Sequence, residues 1–271
     1  MGKVLFFDID GTLVDQRGIM SDSTRQALGR AQENGHKIVL CSGRALFQID
    51  PWLRALGFDG IISAAGACVT SGDSVLYEEA MKKEALAAAV TLLERLDASY
   101  AAQTRTGTVM TAENHNRLMG GFMNVGLTEE AAARMWGAVE LEAHLELRQD
   151  IEKLFFFEAR ATIEEIQKQL SDTCEVTAMR FQPSANSAGE ITGKGIHKAL
   201  GMQKYLEHAG ITREDTMAFG DGMNDTEMLA FAHVGVAMGN ACDTLKRAAD
   251  YVTSGIDEDG IARALKVFGL L

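Results

Sequence analysis

The sequence predicts an α/β fold, with a doubly wound parallel sheet and a second, inserted α+β domain. Short, continuously apolar runs recur near both ends of the chain, and segments with helical spacing of apolar residues separate them. Continuous rather than alternating hydrophobicity is typical of strands that are covered on both faces, as in a parallel sheet. Because strands and helices alternate at both ends, we expect the two ends to form one domain together.

The predicted strands of this domain end abruptly in small or acidic residues. They span 4–7, 38–41, 61–62, 217–219 and 234–238. The first helix is predicted to begin at Ser21 or Ser23 as its N-cap and to stop before Gly35. Apolar spacing predicts further helices over 46–56, 196–208, 225–232, 244–249 and 261–268.

The middle of the chain has a different pattern, because its strand candidates lack the acidic or Ser-Gly endings found outside it. Helical patterns cover 82–96, 129–141 and 163–170, and strand patterns cover 99–103, 108–111, 153–158 and 175–181. We therefore expect a core domain formed by 1–81 and 189–271, interrupted by an α+β cap domain over 82–188.

Composition limits the classes of partner. The chain has 271 residues, a formal net charge of −12 and no cluster of Lys and Arg, which argues against nucleic acid and anionic membranes as partners. A small anionic substrate stays compatible, since a metal can reverse the sign of one pocket. No apolar run approaches the about 20 residues of a membrane span, and no pattern predicts an obligate protein partner.

The cysteines and the start of the chain bear on the compartment. Cys41, Cys68, Cys174 and Cys242 lie far apart without a C-x-x-C pair, which favours thiols in a reducing cytosol. The apolar stretch 4–7 is too short for a signal peptide. We therefore expect a cytoplasmic protein.

Three polar motifs follow predicted strands, where ligands bind in an open parallel sheet. They are Asp8-Ile9-Asp10-Gly11-Thr12, Ser42-Gly43-Arg44 and Gly220-Asp221-Gly222-Met223-Asn224-Asp225. Asp-Gly and Asn-Asp pairs are also common in turns, but three such motifs at three strand ends favour a functional site. Crowded carboxylates repel one another, so the cluster predicts a hard cation with oxygen ligands, Mg²⁺ foremost.

Two other motif interpretations fail on spacing. Asp8-x-Asp10-Gly11 begins like a calcium loop, but position twelve is Ile19 instead of Glu. The segment 189–195 is one residue short of a nucleotide-binding loop, and Gly195 stands where Ser or Thr would hold the metal.

Together with the isolated Lys194-Gly195, the three motifs resemble the haloacid dehalogenase (HAD) superfamily. The chain is similar to its Cof-type phosphatases, in which a large cap lies between the second and third motifs. The resemblance implies a Rossmann-like core and a Mg²⁺-dependent phosphomonoesterase that acts on a small phosphorylated metabolite through an aspartyl-phosphate. The resemblance implies a sugar phosphate as the first choice of substrate, with phosphorylated flavin precursors, pyridoxal phosphate and nucleotides as alternatives that the sequence leaves open.

The resemblance also implies roles for individual residues. Asp8 would be the nucleophile and a metal ligand, and Asp10 would be the general acid and base, with its backbone carbonyl on the metal. Asp221 would complete the metal site, and Asp225 would support it directly or through a neighbouring ligand. Ser42, Gly43, Arg44, Lys194 and Asn224 would bind substrate phosphate, with Lys194 also catalytic and Arg44 alternatively part of a surface ion pair.

One segment departs from the family pattern. Similar proteins often have Asn-Gly-Ala after the third strand, whereas this chain has Ala64-Ala65-Gly66-Ala67, so we assign no role to Ala65. Polar cap residues could face the leaving group or only solvent; they are Glu113, Asn114, His115, Asn116, Arg117 and Arg180.

Three alternative functions share the same residues. A phosphomutase of the superfamily would keep the four motifs and return the phosphoryl group to its substrate. A signalling receiver also uses paired Asp residues, a Ser or Thr and a Lys, but it is about half as long and has no inserted domain. A non-catalytic metal-binding relic is disfavoured because every catalytic carboxylate is present.

Overall fold

The computed structural model describes residues 2–124, 135–179 and 187–271. Within these ranges, no helix combines the length and the hydropathy that a membrane span requires. The chain divides into two compact units. The first comprises Met1–Gly43, Pro51–Glu78 and His197–Leu271, and the second comprises Arg44–Asp50 and Glu79–Ile196.

The strands and helices are numbered along the chain. The strands are β1 (Val4–Phe7), β2 (Lys37–Cys41), β3 (Gly60–Ser63), β4 (Cys68–Ser71), β5 (Ser74–Glu78), β6 (Ser99–Gln103), β7 (Gly107–Met110), β8 (Ala138–Leu141), β9 (Lys153–Ala159), β10 (Cys174–Ala178), β11 (Ser187–Gly193), β12 (Thr216–Gly220), β13 (Val234–Ala237) and β14 (Tyr251–Val252). The α-helices are α1 (Asp22–Glu33), α2 (Pro51–Arg54), α3 (Lys83–Arg95), α4 (Ala112–Asn124), α5 (Ile163–Leu170), α6 (Lys198–Ala209), α7 (Thr226–Phe231), α8 (Asp243–Ala248) and α9 (Gly260–Val267).

The first unit is built on an eight-stranded sheet with the order β14-β13-β12-β1-β2-β3-β4-β5. The six strands from β14 to β3 run parallel, and β4 and β5 add an antiparallel hairpin at one edge. The predicted α/β class is confirmed, although β4, β5 and β14 had not been predicted. The chain moves outward from β1 through β2 and β3 and later returns to β12 on the other side of β1, so the strand order reverses between β1 and β12. In such sheets, ligands bind at the carboxyl ends of the strands beside this reversal.

Strand β1 is buried on both faces, as its continuous hydrophobicity predicts. On one face, the ring of Phe6 meets the edge of Tyr205 from α6, with centroids 6.0 Å apart. On the other face, Phe7 stacks on Phe219 of β12 at 4.7 Å. Contacts with α6 and with the neighbouring strand β12 thus hold β1 in the middle of the sheet.

Two of the predicted helices need comment. Ser21, the first of the two proposed caps, accepts a hydrogen bond from the Thr24 backbone N–H at 3.2 Å, and α1 begins directly after it. The predicted helix over 46–56 is wrong: the chain forms a short 3₁₀ turn over Leu46–Gln48 and then only α2. Pro51 explains the break, because the residue before a proline is disfavoured in helical conformation.

The second unit has a six-stranded sheet with the order β10-β11-β9-β6-β7-β8, antiparallel except for the β7–β8 pair. Helices α3 and α5 cover one face. The unit extends to Ile196, beyond the predicted boundary at 188, because β11 pairs with both β9 and β10. The predicted helix over 129–141 is wrong at its end, where β8 forms, and its 129–134 portion lies outside the described residues.

The four cysteines form no disulfide. Cys41, Cys68 and Cys174 are buried, and Cys242 is exposed.

Candidate active site

Asp8 lies at the carboxyl end of β1 and is almost fully buried. Its backbone N–H donates to the carbonyl of Phe219 at 2.9 Å, so the sheet itself fixes its position. Its side-chain Oδ1 accepts a hydrogen bond from Lys198 Nζ at 2.6 Å. The two side chains form a buried ion pair.

Lys198 is the first residue of α6, and its Nζ also lies 2.6 Å from Oδ1 of Asp225. His197 caps the helix, because its Nδ1 accepts from the Leu200 backbone N–H at 3.2 Å. The Lys198 side chain is only 1% exposed, and its ammonium lies between the two carboxylates.

Burial and neighbouring charges shift the pKa values of Asp8 and Lys198 in this cluster. Burial, together with the charge of Asp225, raises the pKa of Asp8 to about 7, although Lys198 opposes both effects. Burial alone would lower the pKa of Lys198, but Asp225 and Asp8 outweigh it and hold this pKa above its ordinary value. Lys198 therefore stays protonated between the two acids.

Asp225 accepts several hydrogen bonds from the protein. Its Oδ2 accepts from the backbone N–H groups of Asp221 and Gly222, at 3.0 and 2.9 Å, while its Oδ1 accepts from Lys198. A Cβ at Gly220 would lie 2.6 Å from the Asp225 side chain, so only glycine lets this carboxylate fold back under the turn. Asp225 thereby fixes both the lysine and the turn that carries Asp221.

Asp221 follows β12, and its Oδ1 accepts from the hydroxyl of Thr12 at 3.3 Å. One carboxylate oxygen from each of Asp8, Asp221 and Asp225 lies within 4.8 Å of the others, and all three residues are buried. When all three carboxylates are ionised, they exceed the single positive charge of Lys198 by two. Such an oxygen-rich, anionic cluster fits a divalent cation.

Asp10 is half-buried in the turn after Asp8. Gly11 has φ of +86°, and its N–H donates to the Val14 carbonyl at 2.8 Å, which closes the turn. Glycine suits this position because other residues rarely adopt positive φ. The turn thus presents Asp8 and Asp10 from the same strand end.

Ser42 is buried at the end of β2, and its carbonyl accepts from the Ala65 N–H at 3.0 Å. Ala64, Ala65 and Gly66 have φ values of +47°, +57° and +108°. Three successive residues thus have positive φ, and two of them are alanines, whereas glycine or asparagine favours such a conformation. This is the segment that departs from the family pattern.

The prediction for Lys194 needs correction. Its Nζ donates to the carbonyl of Ser171 at 2.7 Å, within the second unit, whereas Lys198 supplies the ammonium that meets Asp8 and Asp225. The Lys194-Gly195 pair matched a motif, but Lys194 follows the end of strand β11, before α6 begins. Lys198 and Thr12 are the residues to which sequence reasoning assigned no role.

Other predicted phosphate-binding residues have separate surroundings. Arg44 forms an ion pair with Asp50, with Nη1 and Oδ2 3.2 Å apart, which corresponds to the surface alternative. Gly43 directly follows Ser42 at the end of β2, and Asn224 is exposed in the turn before α7.

Among the polar residues of the second unit, Asn114 is buried and hydrogen-bonds to the Tyr100 N–H and the Thr111 hydroxyl. Arg117 pairs with Asp97. Glu113 and Asn116 are exposed, His115 is half-buried, and Arg180 lies outside the described residues. Asn114 and Arg117 are thus engaged within their own unit.

Comparison with known proteins identifies the family. The family model of haloacid dehalogenase-like hydrolases matches residues 5–265. The chain belongs to this family. It is 31% identical over 275 residues to "Putative phosphatase YkrA" of Bacillus subtilis, covering 99% of this chain and 98% of that protein. It is 27% identical to 5-amino-6-(5-phospho-D-ribitylamino)uracil phosphatase YcsE of the same organism, covering 97% and 94%.

Similarity to solved structures supports the same family assignment. The HAD subclass IIB sugar phosphatase BT4131 has 31% identity and a TM-score of 0.79, covering 99% of this chain and all of that chain. A second structure, from work on a trigonal-bipyramidal intermediate in a phosphoryl-transfer superfamily, has 31% identity and a TM-score of 0.81 over both full chains. The protein is a HAD phosphatase with the Cof-type arrangement, as the motifs predict.

Proposed function

We propose that this HAD phosphatase is a Mg²⁺-dependent phosphomonoesterase that hydrolyses a small phosphorylated metabolite, foremost a sugar or sugar-alcohol phosphate, through an aspartyl-phosphate on Asp8. The observation that carries the proposal is the buried Asp8–Lys198–Asp225 cluster beside Asp221, at the strand reversal of the sheet. Two relatives support the substrate class: one is named a sugar phosphatase and the other is named for a phospho-D-ribityl compound.

The donor set fits Mg²⁺, because the cluster offers carboxylate oxygens and lacks enough positive charge of its own. Asp8 and Asp221, with the backbone carbonyl of Asp10, would hold the ion. When bound, it would neutralise the charge of the substrate phosphate. We place Asp225 behind these ligands, because its two oxygens already accept from Lys198, Asp221 and Gly222.

In the first step, a carboxylate oxygen of Asp8 attacks phosphorus, and the bond between phosphorus and the leaving oxygen breaks. Asp10 gives its proton to that oxygen, so the product leaves as an alcohol. Lys198 keeps Asp8 oriented and favours its ionised form, and with the hydroxyl of Ser42 it holds the phosphoryl oxygens.

In the second step, Asp10 takes a proton from water, and the oxygen of that water attacks phosphorus. The bond between Asp8 and phosphorus breaks, inorganic phosphate leaves, and both aspartates return to their starting states. Splitting one displacement into two lowers the barrier of each.

The test is phosphate release from a panel of sugar phosphates, sugar-alcohol phosphates and nucleotides, with Mg²⁺ or with EDTA. We expect turnover on the polyol esters that EDTA abolishes and Mg²⁺ restores. Turnover that is insensitive to EDTA would contradict the metal assignment. An isomerised sugar phosphate in place of inorganic phosphate would favour the phosphomutase alternative.

The nucleophile is tested by Asp8→Asn, which keeps the shape and removes the attacking charge. We expect kcat to fall at least about 10³-fold. Acid quenching with ³²P-labelled substrate should trap a hydroxylamine-sensitive label on the wild-type chain and none on the variant. More than a tenth of the activity in the variant would contradict Asp8 as the nucleophile. A label that persists for hours would favour the receiver alternative.

A further inference from the structure

Asn240 lies in the turn that follows β13, next to the turn that carries Asp221. The two turns are joined by the sheet, because the Met238 N–H donates to the Gly220 carbonyl at 2.9 Å. Gly239 is closely packed behind Asn240: a Cβ there would lie 2.4 Å from the backbone nitrogen of Gly255. The backbone around Asn240 is therefore held firmly, even though its side chain is exposed.

The side-chain amide of Asn240 joins three segments of the first unit. Its Nδ2 donates to the carbonyl of Gly11 at 2.8 Å and approaches Oδ2 of Asp221 at 3.4 Å. Its Oδ1 accepts from the Ile256 N–H at 2.9 Å. A carbonyl can only accept and a backbone N–H can only donate, so these partners fix which way the amide points.

These contacts bear on the proposed metal ligand. Thr12 donates to Oδ1 of Asp221 at 3.3 Å, and Asn240 approaches Oδ2 from another turn. Two neutral donors fix the plane of a carboxylate without cancelling its charge. The same amide also ties down the turn of Asp8 and Asp10 through Gly11. Residues that orient metal ligands in this manner contribute about 10- to 100-fold in metal affinity.

We propose that Asn240 is a positioning residue for the phosphatase reaction, which orients the Asp221 carboxylate and the Asp8–Gly11 turn toward each other. The inference rests on the proposed function, in which Asp221 and Asp8 hold Mg²⁺. None of the four sequence motifs contains Asn240. The residue acts through Asp221 and Gly11 and needs no contact with the substrate.

The test measures Mg²⁺ binding by calorimetry on the metal-free full-length protein without substrate. Asn240→Ala should raise the Kd for Mg²⁺ about tenfold. At saturating Mg²⁺, KM for the substrate should stay within about twofold and kcat should recover to within about threefold of wild type, as expected of a residue that acts on metal binding. Asn34→Ala is the matched control, because Asn34 is an exposed asparagine whose amide ties two segments by donating to the Leu270 carbonyl. It should leave the Kd unchanged.

An unchanged Kd in Asn240→Ala, or an equal change in Asn34→Ala, would overturn the proposal. If Asn240→Ala does not fold, Asn240→Asp decides instead, since it keeps the acceptor for the Ile256 N–H and loses both donor contacts. Unlike alanine, the new carboxylate would repel the Gly11 carbonyl oxygen and the Asp221 carboxylate, and added Mg²⁺ cannot restore the turns that this repulsion displaces. We therefore expect kcat at saturating Mg²⁺ to fall at least about tenfold, and an unchanged kcat would overturn the proposal. Asp221→Asn distinguishes failure of the metal assignment from failure of the role of Asn240. If Asp221→Asn leaves Mg²⁺ binding intact, the metal assignment itself fails. If Asp221→Asn loses Mg²⁺ binding while Asn240→Ala keeps the wild-type Kd, only the role of Asn240 fails.

Discussion

Lys198 Nζ and Asp8 Oδ1 are 2.6 Å apart, although 190 residues separate them in the chain. The pair is buried, and a second carboxylate, that of Asp225, lies at the same distance from the ammonium. A lysine in the first turn of a helix opposes the helix dipole, which favours anions there. Its position is therefore explained by the acids that it meets, and it belongs to the catalytic edge of the sheet.

The first prediction compares two lysines. Lys198→Met removes the ammonium between Asp8 and Asp225, so the attacking carboxylate loses its partner and the transferring phosphoryl group loses a cation. We expect kcat on p-nitrophenyl phosphate to fall at least about 10²-fold. Lys194→Met is the matched control, since its Nζ donates only to the Ser171 carbonyl among the contacts described, and it should keep kcat within about threefold. Equal losses in both variants would contradict the assignment of Lys198.

A second prediction concerns the glycine behind this lysine. A Cβ at Gly66 would lie 2.2 Å from the carbonyl oxygen of His197, the residue before Lys198, and Gly66 has φ of +108°. Gly66→Ala should therefore displace the start of α6 and lower the free energy of unfolding by more than about 2 kcal/mol. Gly72→Ala is the control for backbone strain alone, because Gly72 has φ of +53° with nothing within 4 Å. We expect it to cost about 1 kcal/mol, and urea unfolding that gives the two variants equal losses would refute the steric argument.

The site shows what sequence reasoning can and cannot reach. The positions of Asp8, Asp10 and Asp221 were predictable, because each acid ends an apolar run and parallel topology brings such ends to one edge. Lys198 was missed because a local sequence motif does not show where a helical side chain points. The Lys194-Gly195 pair matched the family's lysine motif and was chosen instead. The helix dipole was the available signal, because a lysine in the first turn of the helix predicted over 196–208 requires a nearby anion.

The fold was predictable to a similar extent. Strand β1 and helix α5 match their predicted ranges, because β1 is a continuous apolar run that ends at Asp8 and α5 has apolar residues at helical spacing. Strand β11 had not been predicted, since its glycines and polar residues give no strand pattern until β9 and β10 pair with it. The predicted helix over 46–56 failed at Pro51, where local sterics outweigh apolar spacing.

The third prediction links pH to metal binding. Burial and the charge of Asp225 raise the pKa of Asp8 to about 7, above its ordinary value, so the folded protein binds that proton more tightly than the unfolded chain does. In EDTA, the contribution of Asp8 to stability should therefore be largest at low pH and should be lost as pH rises toward 7 and above. Mg²⁺ competes with the proton for the same carboxylate, so it should raise the unfolding temperature more at pH 8 than at pH 5. Thermal unfolding at both pH values, with and without Mg²⁺, checks this.

Asp8→Asn is the control for that experiment, because it removes the titrating group and keeps its shape. The difference between the Mg²⁺ effects at pH 8 and pH 5 should shrink in this variant. A Mg²⁺ effect of the same size at both pH values in the wild-type protein would contradict the competition.

The final prediction separates Asp10 from Asp8. Asp10→Asn leaves the nucleophile in place, and the backbone carbonyl that we assign to the metal is unchanged. Loss of proton transfer should lower kcat about 10²- to 10⁴-fold on an alkyl phosphate, whose departing oxygen needs a proton. An aryl leaving group such as p-nitrophenolate is stable as an anion, so Asp8 should still be phosphorylated. Hydrolysis of the aspartyl-phosphate, which needs Asp10 as a base, then limits turnover.

We therefore expect rapid mixing of Asp10→Asn with p-nitrophenyl phosphate to give a burst of p-nitrophenol near one equivalent per enzyme, followed by a slow steady rate. The wild-type protein should show no such burst on this substrate, because Asp10 is present as the base and hydrolysis of the aspartyl-phosphate then keeps pace with its formation. Equal losses on aryl and alkyl esters without a burst would mean that Asp10 serves only to shape the turn at Gly11. In that case the proton would have to come from another group, because the leaving oxygen of an alkyl ester cannot depart as a bare anion at neutral pH.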